Sequence, residues 1–377
     1  MRLAPGFGGG GSRAGLLEVK FFVGLVLAAM VVLVGCSSGS SASDRTASSA
    51  RTATSASGSD ARSDAAAQPS PGCANSSQPA SGLTKQTISV GGAQRTYRRY
   101  LPGAAHAGPL PVVINIHGLT SSADQQAAIT AFEPLGEREG FIVLSPEGGG
   151  APSHFDIGAR ADNPDVVFIR SMLDEVGAAT CVDMARVYAT GLSDGGIMSS
   201  VLACFLSDRI AAVGVVSGIQ HAAGCEPSHP MPMMVFWGKD DRILPFCGGV
   251  GPFVLALITN SPIPTPAPPQ CPPANFLGFP PVEQVVTEWA DTDDCNPEPA
   301  VSNAGVNVEL RAFSGCGGDA TIQVYVVADG GHSWPGSKVM QALSATSAAA
   351  IIGQTTDAVD ATELIWAFFR QHALTAQ

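Results

Sequence analysis

Apolar residues along the chain fall into two kinds of run. Val112-Val113-Ile114-Asn115-Ile116, Phe141 to Leu144, Arg186 to Thr190, Ala211 to Val216 and Met233 to Trp237 are short and largely apolar, the pattern of parallel strands buried on both faces. Between them, residues 124–139, Asp165 to Val176 and 195–206 carry helical spacing. Further on, Glu283 to Trp289 and residues 360–371 read as helices, and Val306 to Phe313 and Ile322 to Val327 as strands. Strands alternating with helices predict an α/β domain, a mostly parallel sheet with helices on both faces. Gln86 to Val90 and Gln94 to Leu101, separated by Gly91-Gly92, predict an N-terminal antiparallel hairpin at one edge. The proline-rich stretch 246–281, holding Cys247 and Cys271, breaks the rhythm and predicts a loop insertion.

Upstream the pattern is different. Arg2, Arg13 and Lys20 precede an apolar run from Phe21 to Val34. The run is short for a bilayer span and suits a signal-peptide core. It ends in Leu33-Val34-Gly35-Cys36, which resembles a bacterial lipobox, so residues 1–35 are predicted to be removed and Cys36 to carry lipid. Residues 37–72 are Ser-, Ala- and Thr-rich, with no aromatic or large aliphatic side chain, too polar to order themselves. The predicted division is therefore a lipoprotein signal peptide over 1–35, a lipid-attachment cysteine and tether over 36–79, and one catalytic-sized domain over 80–377. Localisation follows as exported: lipid-anchored on the outer face of the cell membrane, or secreted.

The 377 residues are 45% apolar, enough for a full core. Net charge is −12 with no basic cluster, which argues against nucleic acid as a partner. Of nine cysteines, Cys36 is assigned to lipid. The even remainder in an exported chain predicts disulfides whose pairing stays open on sequence alone. No cysteine or histidine spacing suits zinc, so no metal is expected, and the acyl transfer implied by the residues below requires no cofactor.

Gly191-Leu192-Ser193-Asp194-Gly195 matches G-x-S-x-G. The match follows an apolar strand and opens a helix, the context of a nucleophile elbow, in which a tight turn lifts the serine above the sheet. A serine hydroxyl needs a base to take its proton. Among seven histidines, only His332 follows a late strand in a loop that could return to the elbow. A carboxylate should orient that base. Asp240 and Asp241 both follow the strand 233–237, and position alone allows either. Two backbone N–H groups should bind an oxyanion: Asp194, following the serine, and Leu119 in the turn after the strand 112–116. His117, at the end of that strand, reads as structural.

These segments together resemble the secreted polyhydroxybutyrate-depolymerase-like and feruloyl-esterase-like α/β-hydrolases, including bacterial lipoprotein members. Arg186 to Gly196 looks like that family's nucleophile segment, and Gly331-His332-Ser333-Trp334-Pro335-Gly336 like its histidine segment. The family's acid segment runs His-Gly-Thr-x-Asp-x-x-Val-Pro-Tyr. Here Trp237-Gly238-Lys239-Asp240-Asp241-Arg242-Ile243-Leu244-Pro245-Phe246 aligns with it, which selects Asp241 and leaves Trp237 and Lys239 as departures. The resemblance spans about residues 83–375 and is weakest across 246–281.

It implies an α/β-hydrolase fold with catalytic Ser193, Asp241 and His332, and a serine esterase acting through an acyl-enzyme. The implied partner is an ester substrate, possibly polymeric: feruloyl or acetyl polysaccharide esters, hydroxyalkanoate oligomers or envelope esters. The membrane is a second partner, through the lipid anchor. The alternatives are an acyltransferase using the same residues and a non-catalytic envelope-binding lipoprotein. The resemblance further suggests the pairs Cys181–Cys204 and Cys295–Cys316. Cys247–Cys271 would staple the insertion, leaving Cys73–Cys225. Trp334 and the insertion are expected to border the substrate pocket.

Overall fold

The structure, a computed structural model, describes residues 65–103, 106, 108–259, 261 and 279–375. The expected signal peptide, Cys36, the tether as far as residue 64 and Cys271 lie outside them. Ten strands form one sheet: β1 (Gly82–Val90), β2 (Ala93–Leu101), β3 (Leu110–Ile116), β4 (Ile142–Pro146), β5 (Val182–Leu192), β6 (Ala212–Val216), β7 (Met233–Gly238), β8 (Ala300–Gly305), β9 (Val308–Phe313) and β10 (Ile322–Val327). Their order is β1-β2-β4-β3-β5-β6-β7-β10-β9-β8. From β4 to β10 every pair is parallel. The hairpin β1–β2 adds antiparallel strands at one edge, and β8–β9 at the other. This is the α/β-hydrolase arrangement expected from the sequence.

Period-two alternation fills both faces. Val112, Ile114 and Ile116 of β3 join one core with Met233, Val235 and Trp237 of β7. Val113, Met234 and Phe236 join the other. The first core is covered by α3 (Pro164–Ala179), α4 (Asp194–Phe205) and α6 (Val282–Thr292), the second by α1 (Ala123–Thr130), α2 (Phe132–Glu139) and α9 (Ala361–Phe369). The described residues also hold the short helices α5 (Pro252–Thr259), α7 (Lys338–Ser344) and α8 (Ala349–Ile352) and a 3-10 turn at Pro71–Ala74. Caps fix the starts: Asn163 accepts from the N–H groups of Asp165 and Val166, with Pro164 in the first turn.

The single helix expected over 124–139 is two helices. Ala131 takes φ 53° between them; Pro134 has no N–H to offer the Thr130 carbonyl, which accepts from the Thr362 hydroxyl of α9 instead. Strand β8 was not expected, since its Ala-Val-Ser-Asn-Ala-Gly sequence has no buried face. The domain also begins earlier than residue 80. Pro69 bridges Asp183, and the Ser70 hydroxyl donates to the Thr180 carbonyl and accepts from the Val182 N–H. At the other end of the chain, the Leu374 N–H donates to the Ala185 carbonyl. Both ends thus meet the early part of β5.

The disulfides correct two expected pairs. Cys73 bonds Cys181, and Cys204 bonds Cys225, in place of Cys181–Cys204 and Cys73–Cys225. The reason is length. The strand β5 carries the chain roughly 30 Å or more from Cys181 to the elbow, whereas α4 brings it back only about 18 Å. Cys204 therefore stops well short of Cys181. Cys295–Cys316 forms as the resemblance implied. Cys247 is disulfide-bonded. Three bridges among the described residues fit an oxidising compartment.

One buried group makes stability depend on pH. Asp293, 1% exposed, accepts from the Met231 N–H through Oδ1, while its Oδ2 has no hydrogen-bond partner. Burial pushes its carboxyl up to about 7. An unfolded aspartate ionises near 3.9, so between roughly pH 4 and 7 the folded chain holds a proton that the unfolded chain has released. Stability contributed by this neutral carboxyl is present at low pH and is lost as pH rises through 7. Asp293→Asn is expected to raise the melting temperature at pH 8 by about 2 °C or more, and by clearly less at pH 4.5. Equal shifts in calorimetry at the two pH values would rule out the carboxyl charge as their source.

Candidate active site

Ser193 sits between β5 and α4 with φ 61° and ψ −121°, a backbone state that costs about 1–3 kcal/mol and persists only where packing enforces it. Two glycines permit the turn. A Cβ on Gly195 would lie 2.1 Å from the Ile116 carbonyl oxygen, and one on Gly191 would lie 2.4 Å from the carbonyl carbon of Gly195. The Ser193 N–H donates to the Val216 carbonyl, tying the turn to β6. The side chain is half-buried, and among the described residues its hydroxyl makes no hydrogen bond.

Asp241 follows β7 in a tight turn, its N–H donating to the Gly238 carbonyl. It is fully buried (0% exposed), and Oδ1 accepts from the N–H groups of Ile243 and Leu244. Oδ2 lies 2.8 Å from Nδ1 of His332. Asp240, the other candidate, is only half-buried. His332 follows β10, and its N–H donates to the Ile352 carbonyl. The ring is 6% exposed. With Nδ1–H given to the carboxylate, Nε2 is the basic nitrogen, and among the described residues it makes no hydrogen bond. A neutral imidazole so oriented can accept a proton and be stabilised as the cation. Asp241 and His332 are thus brought into contact, and Ser193 stands at the same, C-terminal edge of the parallel strands, on β5, two positions along the sheet from β7.

The two expected oxyanion donors flank Ser193. Asp194 follows it directly at the start of α4. Gly118 packs against the serine from the other side, since a Cβ there would lie 3.3 Å from Ser193 Cβ. Leu119 is next in the chain, its side chain 44% exposed. Neither the Leu119 nor the Asp194 N–H donates a hydrogen bond among the described residues.

His117 is buried and acts as a strut. Its Nε2 accepts from the Gly148 N–H, so Nδ1 carries the proton and donates to the Gly118 carbonyl. Burial lowers its pKa, keeping it neutral. Because the peptide is planar and trans, fixing the Gly118 carbonyl turns the Leu119 N–H to the opposite side.

The Asp194 side chain is a feature that the motif did not announce. Its Oδ2 accepts from the Phe155 N–H. Burial pushes its carboxyl up to about 6, opposed by that hydrogen bond and by His154, and reinforced by Asp165. The partner is a backbone group in a loop of no distinctive composition, so only three-dimensional placement could reveal it.

Among the described residues, Trp334 is buried in the core instead of lining an open surface. It is 0% exposed, packs edge-on against Phe132, and donates its indole N–H to the Thr362 hydroxyl. Trp237, one of the departures, braces the acid loop by donating its indole N–H to the Leu244 carbonyl. With Ile197, Ile219, Leu244, Pro245 and Phe279 it lines a small apolar cavity beside that loop.

Residues 95–243 match the family model described as Esterase PHB depolymerase. The stretch runs from β2 past Asp241 and ends before His332. The chain is 29% identical over 231 residues to feruloyl esterase B of Piromyces equi, covering 59% of this chain but 39% of that protein. It is 27% identical over 265 residues to the putative esterase NocK of Nocardia uniformis subsp. tsuyamanensis, covering 67% of this chain and 74% of that one. An acetyl xylan esterase from Aspergillus awamori superposes with a TM-score of 0.47 at 16% identity, covering 66% of this chain and 94% of that one. Residues 95–243 are thus similar to the Esterase PHB depolymerase family model, and Ser193 stands at the strand–helix turn within that stretch.

Proposed function

We infer that this protein is an exported serine esterase in which Ser193 is the nucleophile, His332 the general base and Asp241 the carboxylate that orients it. The observation that carries the reading is the buried Asp241–His332 hydrogen bond at the sheet edge where the strained Ser193 stands. His332 Nε2 takes the hydroxyl proton as Ser193 Oγ attacks the ester carbonyl, and the resulting oxyanion is held by the N–H groups of Leu119 and Asp194. Collapse expels the alcohol, which receives that proton from His332. Water, deprotonated by His332, then attacks the acyl-enzyme and releases the acid and Ser193.

Relatives named feruloyl esterase and putative esterase support a carboxylic ester as substrate. The candidates are feruloyl or acetyl esters on polysaccharide, hydroxyalkanoate oligomers and envelope esters. The disulfides support export, and the sequence around Cys36 supports a lipid anchor there. Cys36→Ala is expected to move the protein from the membrane fraction to the medium on cell fractionation; unchanged membrane association would remove the anchor from this reading.

The oxidised protein is expected to hydrolyse p-nitrophenyl acetate, butyrate or octanoate, or methyl ferulate. Ser193→Ala should lower kcat by at least about 10³-fold while leaving the melting temperature near that of the parent. Full activity in that variant would refute the mechanism. Asp241→Asn keeps the size of the side chain but not its charge. It should lower kcat by roughly 10³–10⁴-fold, and a loss below tenfold in stopped-flow or steady-state assays would count against the role given to Asp241.

A further inference from the structure

The segment from Glu147 to Asp156 reaches the site through three hydrogen bonds made by its backbone and through the ring of Phe155. The Gly148 N–H donates to His117 Nε2, 2.9 Å. The Thr120 N–H donates to the Ser153 carbonyl, 2.7 Å, immediately after Leu119. The Phe155 N–H donates to Asp194 Oδ2, 2.8 Å. The Phe155 ring packs on the His117 ring at 4.8 Å between centroids. The segment is closed on itself, because Gly149 and His154 exchange both backbone hydrogen bonds. It is therefore a small hairpin, pinned at its base by the buried Phe155.

The two N–H groups proposed to bind the oxyanion come from different parts of the chain, one after β3 and one at the start of α4. Donors from separate elements stabilise a charge only if their mutual position is fixed before the charge forms. The hairpin is joined to both. It reaches the Leu119 side through Thr120 and His117, and the Asp194 side through the carboxylate.

We propose that the hairpin 147–156 sets the spacing of the two oxyanion-binding N–H groups, and that the Asp194 side chain is a positioning residue that joins the hairpin to the nucleophile elbow. This rests on the serine esterase reading above. It also makes Asp194 bifunctional: its N–H faces the reacting oxygen while its carboxylate holds the frame. The carboxylate is used at a distance from the substrate, so its loss acts on the transition state rather than on substrate binding.

The test uses the full chain and three variants, Asp194→Ala, Asp194→Asn and Ser193→Ala. Turnover of p-nitrophenyl butyrate gives kcat and KM. Inhibition by phenylboronic acid, which forms a tetrahedral anionic adduct on an active serine, reports on the hole without turnover. Asp194→Ala is expected to lower kcat by about 10–100-fold, to leave KM within about threefold, and to raise the boronic acid inhibition constant in parallel with the fall in kcat. Asp194→Asn retains a carbonyl oxygen that accepts from Phe155 N–H and should recover most of both losses.

Three results would overturn the proposal. One is an Asp194→Ala protein with kcat and inhibition constant within twofold of the parent. Another is a loss of kcat with no change in boronic acid affinity. The third is a loss explained by a lost melting transition in both Asp194 variants. A parent protein that neither turns over ester nor binds the boronic acid would overturn the esterase reading and this proposal together. A parent that does both, beside an unaffected Asp194→Ala, would overturn this proposal alone.

Discussion

Where α4 begins, the Ile116 carbonyl oxygen occupies the space that a side chain on Gly195 would need. That crossing brings α4 against the end of β3, and much else follows from it. The chain must leave β5 and reverse within a single residue, which forces Ser193 into its unfavourable backbone state. The cost is borne by hydrogen bonds and packing already fixed in the sheet, such as the Ser193 N–H to the Val216 carbonyl. The same closeness lets the turn after β3 lie beside the serine, with Gly118 in contact and Leu119 next to it. A rigid sheet edge thus gathers groups that flexible loops could not hold to within an ångström.

Asp241 shows the complementary problem, a carboxylate with no water around it. Such a group is tolerated only when its oxygens are occupied. Two backbone N–H groups take one oxygen and His332 takes the other. The loop that supplies those N–H groups is itself tied down by Trp237 through the Leu244 carbonyl. The indole at that position therefore braces the loop of Asp241 from beneath and also lines the neighbouring cavity.

Much of this was legible in the sequence because it depends on local pattern. Alternation and run length marked the strands, and the strand–glycine–serine–glycine–helix order marked the elbow. Asp241 was singled out from Asp240 only through a resemblance, and its burial gives the physical reason for the difference. What escaped was decided by distance in space. Cys181 lies at one end of a long strand and Cys204 at the end of a shorter helix, a mismatch that cysteine spacing does not express. Trp334 lies beside His332 in sequence yet turns into the opposite core, where Thr362 accepts its N–H. The break at Ala131 has a local cause in Pro134, which has no N–H to give the Thr130 carbonyl; only the group that takes that carbonyl instead, the Thr362 hydroxyl from the far end of the chain, was hidden. The docking of residues 65–79 depends on Cys73 and Ser70 meeting β5, which their polar composition hides.

The strap at Pro69 and the closing contact at Leu374 both land on the first residues of β5, at Asp183 and Ala185. Ser193 is eight residues beyond Ala185, about 26 Å along the strand. The domain consequently has a back and a front. Both ends of the described domain are thus fastened at the opposite end of β5 from Ser193, which leaves the sheet edge where Asp241 and His332 meet clear of them.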